Sequence, residues 1–422
     1  MGQVLSIAWW GRVFGLWLAL GAGLGQAIAQ TEPEDLTAPG LPTPAEIDSV
    51  LRELGDITGF RVVKRLPFQM VTKAEVNKFL SAQIRHSVKP SEIRAEEATL
   101  RKFGFVPKDF DLKKTTIDLL TEQAAAYYDF HRRKLFISDW ANRSMRDDAV
   151  FHELAHALAD QNIPIGKFLA HGGDDSESSL ARETVVEGQA SWLMLELAAR
   201  RNGRSMKDPQ TAAELLRDQT DTPDSAYPVF SNAPLYIRAT LMFPYEQGEK
   251  FQQAVFLKDG QGAFRRLFEH PPSSTAQILH PERYFADVEP TNPKLPKSAP
   301  GTKSLVGGTL GELDHRILLR QYVDSETAAV LGPKLKGAAY RIDEVKKDER
   351  LTLTYISEWE NEAAATEFMR SYTRVLRGKW KTVEPSKEDA TAFQGKSEDG
   401  YFSVVRQGAT IVSLEGFAAP PV

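Results

Sequence analysis

From Ala45 onward, apolar residues recur at intervals of three and four. Ile47, Val50, Leu51 and Leu54 share one face of a helix, with Gly55 and Gly59 as candidate stops. The same texture continues to Leu120 and reads as helical scaffold. It breaks over residues 124–137 (AAAYYDFHRRKLFI), where apolar runs at 124–128 and 135–137 flank a polar turn at 129–133, the pattern of a hairpin. Helical spacing returns at Val150, Phe151, Leu154 and Leu158, predicting a helix from Asp147 to about Gln161 with Ser144 or Asp147 as its N-cap. A loop containing Gly166, Gly172 and Gly173 leads to Asp174, Asp175 and Ser176, candidate caps for a second helix running to about Arg200. Residues 208–234 are polar and irregular, and residues 235–257, 263–268 and 274–285 predict three further helical pieces.

Pro290, Pro293, Pro296 and Pro300 mark residues 287–303 as a linker, after which the texture changes. Leu351, Leu353 and Tyr355 alternate with Thr352 and Thr354 as in a half-buried strand. Ala365, Phe368, Met369, Tyr372, Val375 and Leu376 follow helical spacing, and residues 401–405 pair with 410–414 across Gly408. The fold class is α+β: a mainly helical unit with a small sheet over 45–286, then a small α+β unit over 304–422. There is no internal repeat.

The N-terminus has a different character. Arg12 is the only charged residue among the first 29, residues 13–24 are an apolar run, and Ala27, Ile28 and Ala29 form a small-residue cleavage site. Residues 1–29 read as a signal peptide, which implies a periplasmic or secreted protein cut near Ala29. The alternative is an uncleaved anchor, against which stands a run shorter than the ~20 residues of a spanning helix. Residues 30–44, polar with Pro33, Pro39, Pro42 and Pro44, read as a flexible tether.

Composition narrows the chemistry. The 422 residues are 42% hydrophobic and 26% charged, enough for a large core, and the formal charge of −5 supplies no basic field for nucleic acid. No cysteine occurs, so disulfides, lipid anchoring and thiolate ligation are all excluded. Any metal is held by histidine and carboxylate.

His152 and His156, four apart on a helix, project from one face and can chelate one ion. Glu153 points about 100° away and suits a general base acting on a metal-bound water. A hydrolytic zinc site takes three protein ligands and keeps an open position. The segment RETVVEGQASW offers Glu183 and Glu187, with 187 − 156 = 31 positions for a loop and an antiparallel helix. Glu187 is the preferred third ligand. Glu183 then suits a position beside the ligands, accepting the free N–H of a ligand imidazole. Gly188 and Ala190 would let this helix approach the His152 helix closely.

HELAH followed by VEGQA resembles the gluzincin clan of metallopeptidases, whose third-ligand helix often reads NEGFA. The order YYD, HELAHALADQ, VEGQA, FPYEQG, PPSSTAQILHPERY is more closely similar to predicted bacterial exported metallopeptidase-like proteins of undefined substrate. The resemblance runs from about residue 45 to the C-terminus and implies a zincin-like domain binding Zn2+. Its departure is the His156-to-Glu spacing, longer than is usual in that clan, which leaves Glu183 and Glu187 both open as ligand. Tyr245 in FPYEQG and His280 in QILHPERY are candidate donors to an oxyanion. His86, His131, His171, His270 and His315 sit in polar or loop contexts and are expected at the surface, His171 near the cleft.

The expectation is a zinc metallopeptidase acting on a peptide or protein, without stable membrane insertion once the signal is cut. The rival is a catalytically silent zincin-fold binding or assembly protein of the cell envelope, against which the intact Glu153 argues.

Overall fold

The computed structural model describes residues 17–20, 42–87, 89–140, 143–173, 175–217 and 227–421. The cleavage signature at 27–29 and residues 30–41 of the expected tether lie outside them. Of the leader, Trp17–Leu20 is described, as strand β1.

Helix α1 (Pro44–Thr58) starts where Thr43 caps it. The Thr43 hydroxyl accepts from the Glu46 amide, and the Glu46 carboxylate accepts from the Thr43 amide. It buries Ile47, Leu51, Leu54 and Ile57 and ends at Gly59, whose φ of 75° suits a residue without Cβ; Gly55 lies inside the helix rather than stopping it. Strand β2 (Phe68–Val71) and helices α2 (Lys73–Ser87), α3 (Pro90–Phe103) and α4 (Leu112–Gln123) lead into the hairpin β3 (Ala124–Asp129) and β4 (Lys134–Ser138). Asp129 closes its turn by accepting from the amides of His131 and Arg132.

Helix α5 (Arg143–Asn162) starts ahead of both expected caps, so Ser144 and Asp147 lie within it. After α6 (Ile165–Ala170), α7 (Ser176–Arg201) is capped by Asp175, whose carboxylate accepts from Ser178 N. Helices α8 (Pro209–Leu215), α9 (Pro228–Asn232), α10 (Leu235–Asp259), α11 (Ala263–Glu269), α12 (Thr275–Leu279) and α13 (Pro281–Phe285) complete the helical unit. The C-terminal unit follows as β5 (Thr302–Thr309), α14 (Glu312–Tyr322), α15 (Ser325–Leu331), β6 (Leu335–Val345), β7 (Leu351–Trp359), α16 (Glu362–Lys379), β8 (Val383–Glu388), β9 (Ala392–Ser397), β10 (Gly400–Gln407) and β11 (Thr410–Phe417).

The chain is α+β. Its small sheet has the order β1-β3-β4-β2, with β2 parallel to β4 and the other pairs antiparallel. The larger sheet, β5-β6-β7-β11-β10-β9-β8, is antiparallel throughout, and α16 lays Phe368, Tyr372 and Leu376 on it. The two units are stitched together at the first turn of α7. Ser176 Oγ donates to Thr309 O (3.1 Å) and Thr309 Oγ1 donates to Asp175 (2.7 Å), while Glu177 holds the same turn to α12 of its own unit, accepting from both the amide and the hydroxyl of Thr275 (2.9 Å each). Residues 287–301 run against the sheet, with Thr291 N donating to Lys336 O. No helix among the described residues is long and apolar enough to cross a membrane.

Helix α7 is buried on every side from Glu183 to Leu197, as expected of a helix at the centre of its unit. Two expectations are corrected here. Gly188 opens α7 to α10 rather than to α5: a Cβ on Gly188 would stand 2.2 Å from the carbonyl carbon of Gly248, backbone against backbone. His315, expected at the surface, is buried at 2% exposure; its Nδ1–H donates to Gly311 O and its Nε2 accepts from Tyr355. Burial holds that imidazole down to about 4, so it is neutral. His131, His171 and His270 are exposed as expected, and the side chain of His86 lies outside the described residues.

In an isolated helix, Gly→Ala stabilises by about 1 kcal/mol. Here overlap with Gly248 decides the sign, and Gly188→Ala is expected to destabilise by about 1–3 kcal/mol in denaturant unfolding. A variant as stable as the parent would contradict this packing.

Candidate metal centre

The 3.6-residue period of α5 sets His152 and His156 one turn apart on the face turned to α7, their rings edge to face with centroids 4.6 Å apart. Helix α7 presents Glu187 to both. His152 Nε2 lies 2.8 Å from Glu187 Oε2, His156 Nε2 lies 3.4 Å from the same oxygen, and the two Nε2 atoms are 3.0 Å apart. The three donors converge on one point and form a group able to hold a metal ion. Donors at ~2.0–2.1 Å from a tetrahedral ion stand about 3.3 Å from one another, close to these separations. Of the two glutamates, Glu187 is the one that joins this group.

The group is buried. His152, Glu153, His156 and Glu187 are each no more than 1% exposed. Burial pushes the His156 imidazole down to about 4, helped by His152 and opposed by Glu187, so its nitrogen is free of a proton at neutral pH. Burial also opposes ionisation of Glu187, but the facing imidazoles outweigh it by charge and hydrogen bond, and its pKa is lowered. A neutral imidazole on His156 and an ionised carboxylate on Glu187 are protonation states that metal ligation requires.

Glu153 takes no part in this group. Its Oε2 accepts from the Tyr128 amide of β3 at 2.7 Å, which fixes the carboxylate beside the ligands and against the sheet. Glu183, one turn before Glu187, is buried, and its carboxyl is pushed up to about 8 by burial and by the Glu187 charge. The expected bond from a ligand imidazole to Glu183 is not made by His152, whose Nδ1 has no hydrogen-bond partner. Tyr245 does belong to the site. The Gly188–Gly248 contact brings α10 onto α7, so the Tyr245 ring lies 5.8 Å from that of His152 and its hydroxyl donates to Glu187. Burial and the carboxylates of Glu187, Glu183 and Glu153 keep that phenol protonated. His280 is placed elsewhere: its Nε2 is engaged at 2.9 Å by Glu312, which also holds Arg283 and Arg316.

The sequence reading missed Tyr128 and Asp160. The Tyr128 hydroxyl donates to Asp160 at 2.9 Å, tying β3 to the last turns of α5. The signal for Asp160 was present, since it follows His152 and His156 by eight and four positions on one face.

No family profile, curated protein or solved structure matches the chain.

Purified chain is expected to bind one divalent ion. His152→Ala, His156→Ala and Glu187→Ala should each weaken binding at least about 100-fold, whereas Glu183→Gln should retain the ion. Elemental analysis with a chelator titration checks this. Full retention by Glu187→Ala would exclude the site.

Proposed function

We propose that the chain is a zinc-dependent hydrolase of gluzincin type that cleaves peptide bonds. The observation that carries the reading is the separation of two glutamates: Glu187 joins the imidazoles of His152 and His156, while Glu153, next to His152, turns to β3. Zinc is the ion that best suits two imidazoles and a carboxylate in a chain without cysteine. When bound, it supplies Lewis acidity that polarises a carbonyl and brings the pKa of a water towards about 7.

The remaining steps belong to the protein. Glu153 takes a proton from the attacking water and returns it to the leaving amine, with one carboxylate oxygen held in place by the Tyr128 amide. Tyr245, protonated and beside His152, donates to Glu187 in the resting chain, and turning that hydroxyl from Glu187 to the oxyanion would stabilise the carbonyl as it becomes tetrahedral. His280 is left out of this scheme by its bond to Glu312. Backbone pairing along β3 would bind an extended peptide with little regard to its sequence.

Glu153→Gln should lower turnover of an unfolded substrate such as casein by about 10²–10⁴-fold with zinc content unchanged. Equal turnover would contradict the hydrolase reading. A zinc-loaded parent chain with no turnover would favour the silent envelope protein.

A further inference from the structure

Strand β1 is the only described part of the leader, and it lies at the site. It pairs antiparallel with the outer edge of β3, Trp17 opposite Tyr128, Leu18 opposite Tyr127 and Leu20 opposite Ala124, and it also packs against α5. Both elements bear the site: α5 carries His152, Glu153 and His156, and Tyr128 gives its amide to Glu153. The other edge of β3 is taken by β4. Without β1, β3 becomes an edge strand with backbone groups open to any extended chain. The sequence supplies a second observation: the small-residue cleavage signature at 27–29 lies between β1 and α1, so one cut there separates residues 1–29, β1 among them, from the rest of the chain.

We infer that β1 is an intramolecular plug: in the uncut chain, residues 17–20 fill the peptide-docking edge of β3 in place of substrate, and processing after Ala29 opens it. The inference rests on the hydrolase reading for what the edge docks, but not for the pairing itself. Hydrolysis of the Ala29–Gln30 bond by a processing peptidase, consuming one water, turns a tethered occupant into a separate peptide. A tethered segment competes at an effective concentration on the order of mM, whereas the released peptide is diluted away. The chain is thereby kept closed until it is processed, and the mature chain exposes an edge suited to extended apolar segments.

The test compares the zinc-loaded full chain with its Leu18→Pro/Leu20→Pro variant, in which proline removes two backbone donors from β1. A second arm uses the full chain carrying a protease site between residues 29 and 30, before and after cutting. Hydrogen exchange is read at residues 124–129, and binding of a fluorescein-labelled peptide of residues 12–24 is read by anisotropy. Unpairing or cutting should speed exchange in β3 at least tenfold and tighten peptide binding at least tenfold. Either readout unchanged in both arms overturns the plug. Casein turnover separates the two ideas. Shifts in both readouts without turnover in any form leave the plug standing and remove the peptidase reading; equal turnover in all forms without shifts does the reverse.

Discussion

Two imidazole nitrogens and a carboxylate oxygen, buried and within 3.4 Å of one another, are the constraint around which the helical unit is arranged. Removing an ionised carboxylate from water costs several kcal/mol unless a partner of opposite charge accompanies it. A divalent cation between the three donors supplies that charge, and the surroundings hold each donor in position to receive one. The sheet takes Glu153 out of the ligand set through the Tyr128 amide, leaving the carboxylate on α7 as the third donor.

The scaffold serves this convergence by bringing backbones close. Gly188 and Gly248 let α7 and α10 touch, which carries Tyr245 to Glu187. At its other end, α7 is fixed by Asp175, Ser176 and Glu177 to Thr309 and Thr275. The C-terminal unit is thus fastened, through Thr309, to the helix that carries the candidate third ligand, eleven and twelve residues upstream of Glu187, and helps to set where that helix lies. That arrangement differs from a lid held on by a linker.

Features set by local periodicity were legible in the sequence. The approach of His152 to His156, the β3–β4 hairpin, the Asp175 cap, α16 and the β10–β11 pair all follow from spacing within a few residues. Features set by which elements meet were not. Glu183 and Glu187 lie on one face one turn apart, so only the packing of α5 on α7 separates them. Gly188 announced a close approach but not its partner. His315 was misread because its neighbours Asp314 and Arg316 are charged, whereas Leu313, Ile317 and Leu318 bury the helix around it. Strands β2, β5, β6, β8 and β9 were not read at all: β2 is four residues long within a stretch of helical texture, β8, VEPSKE, is largely exposed, and the long β6 carries little of the alternation that marks a half-buried strand.

The central claim is that His152, His156 and Glu187 ligate one metal ion while Glu153 does not. X-ray absorption at the zinc edge on the zinc-loaded chain, parent against Glu187→Gln and Glu153→Gln, tests it most directly. The account requires a first coordination sphere of nitrogen and oxygen at about 2.0–2.1 Å, with two imidazole signatures, disturbed by Glu187→Gln and unchanged by Glu153→Gln. A sphere indifferent to Glu187, or one altered by Glu153→Gln, would contradict it.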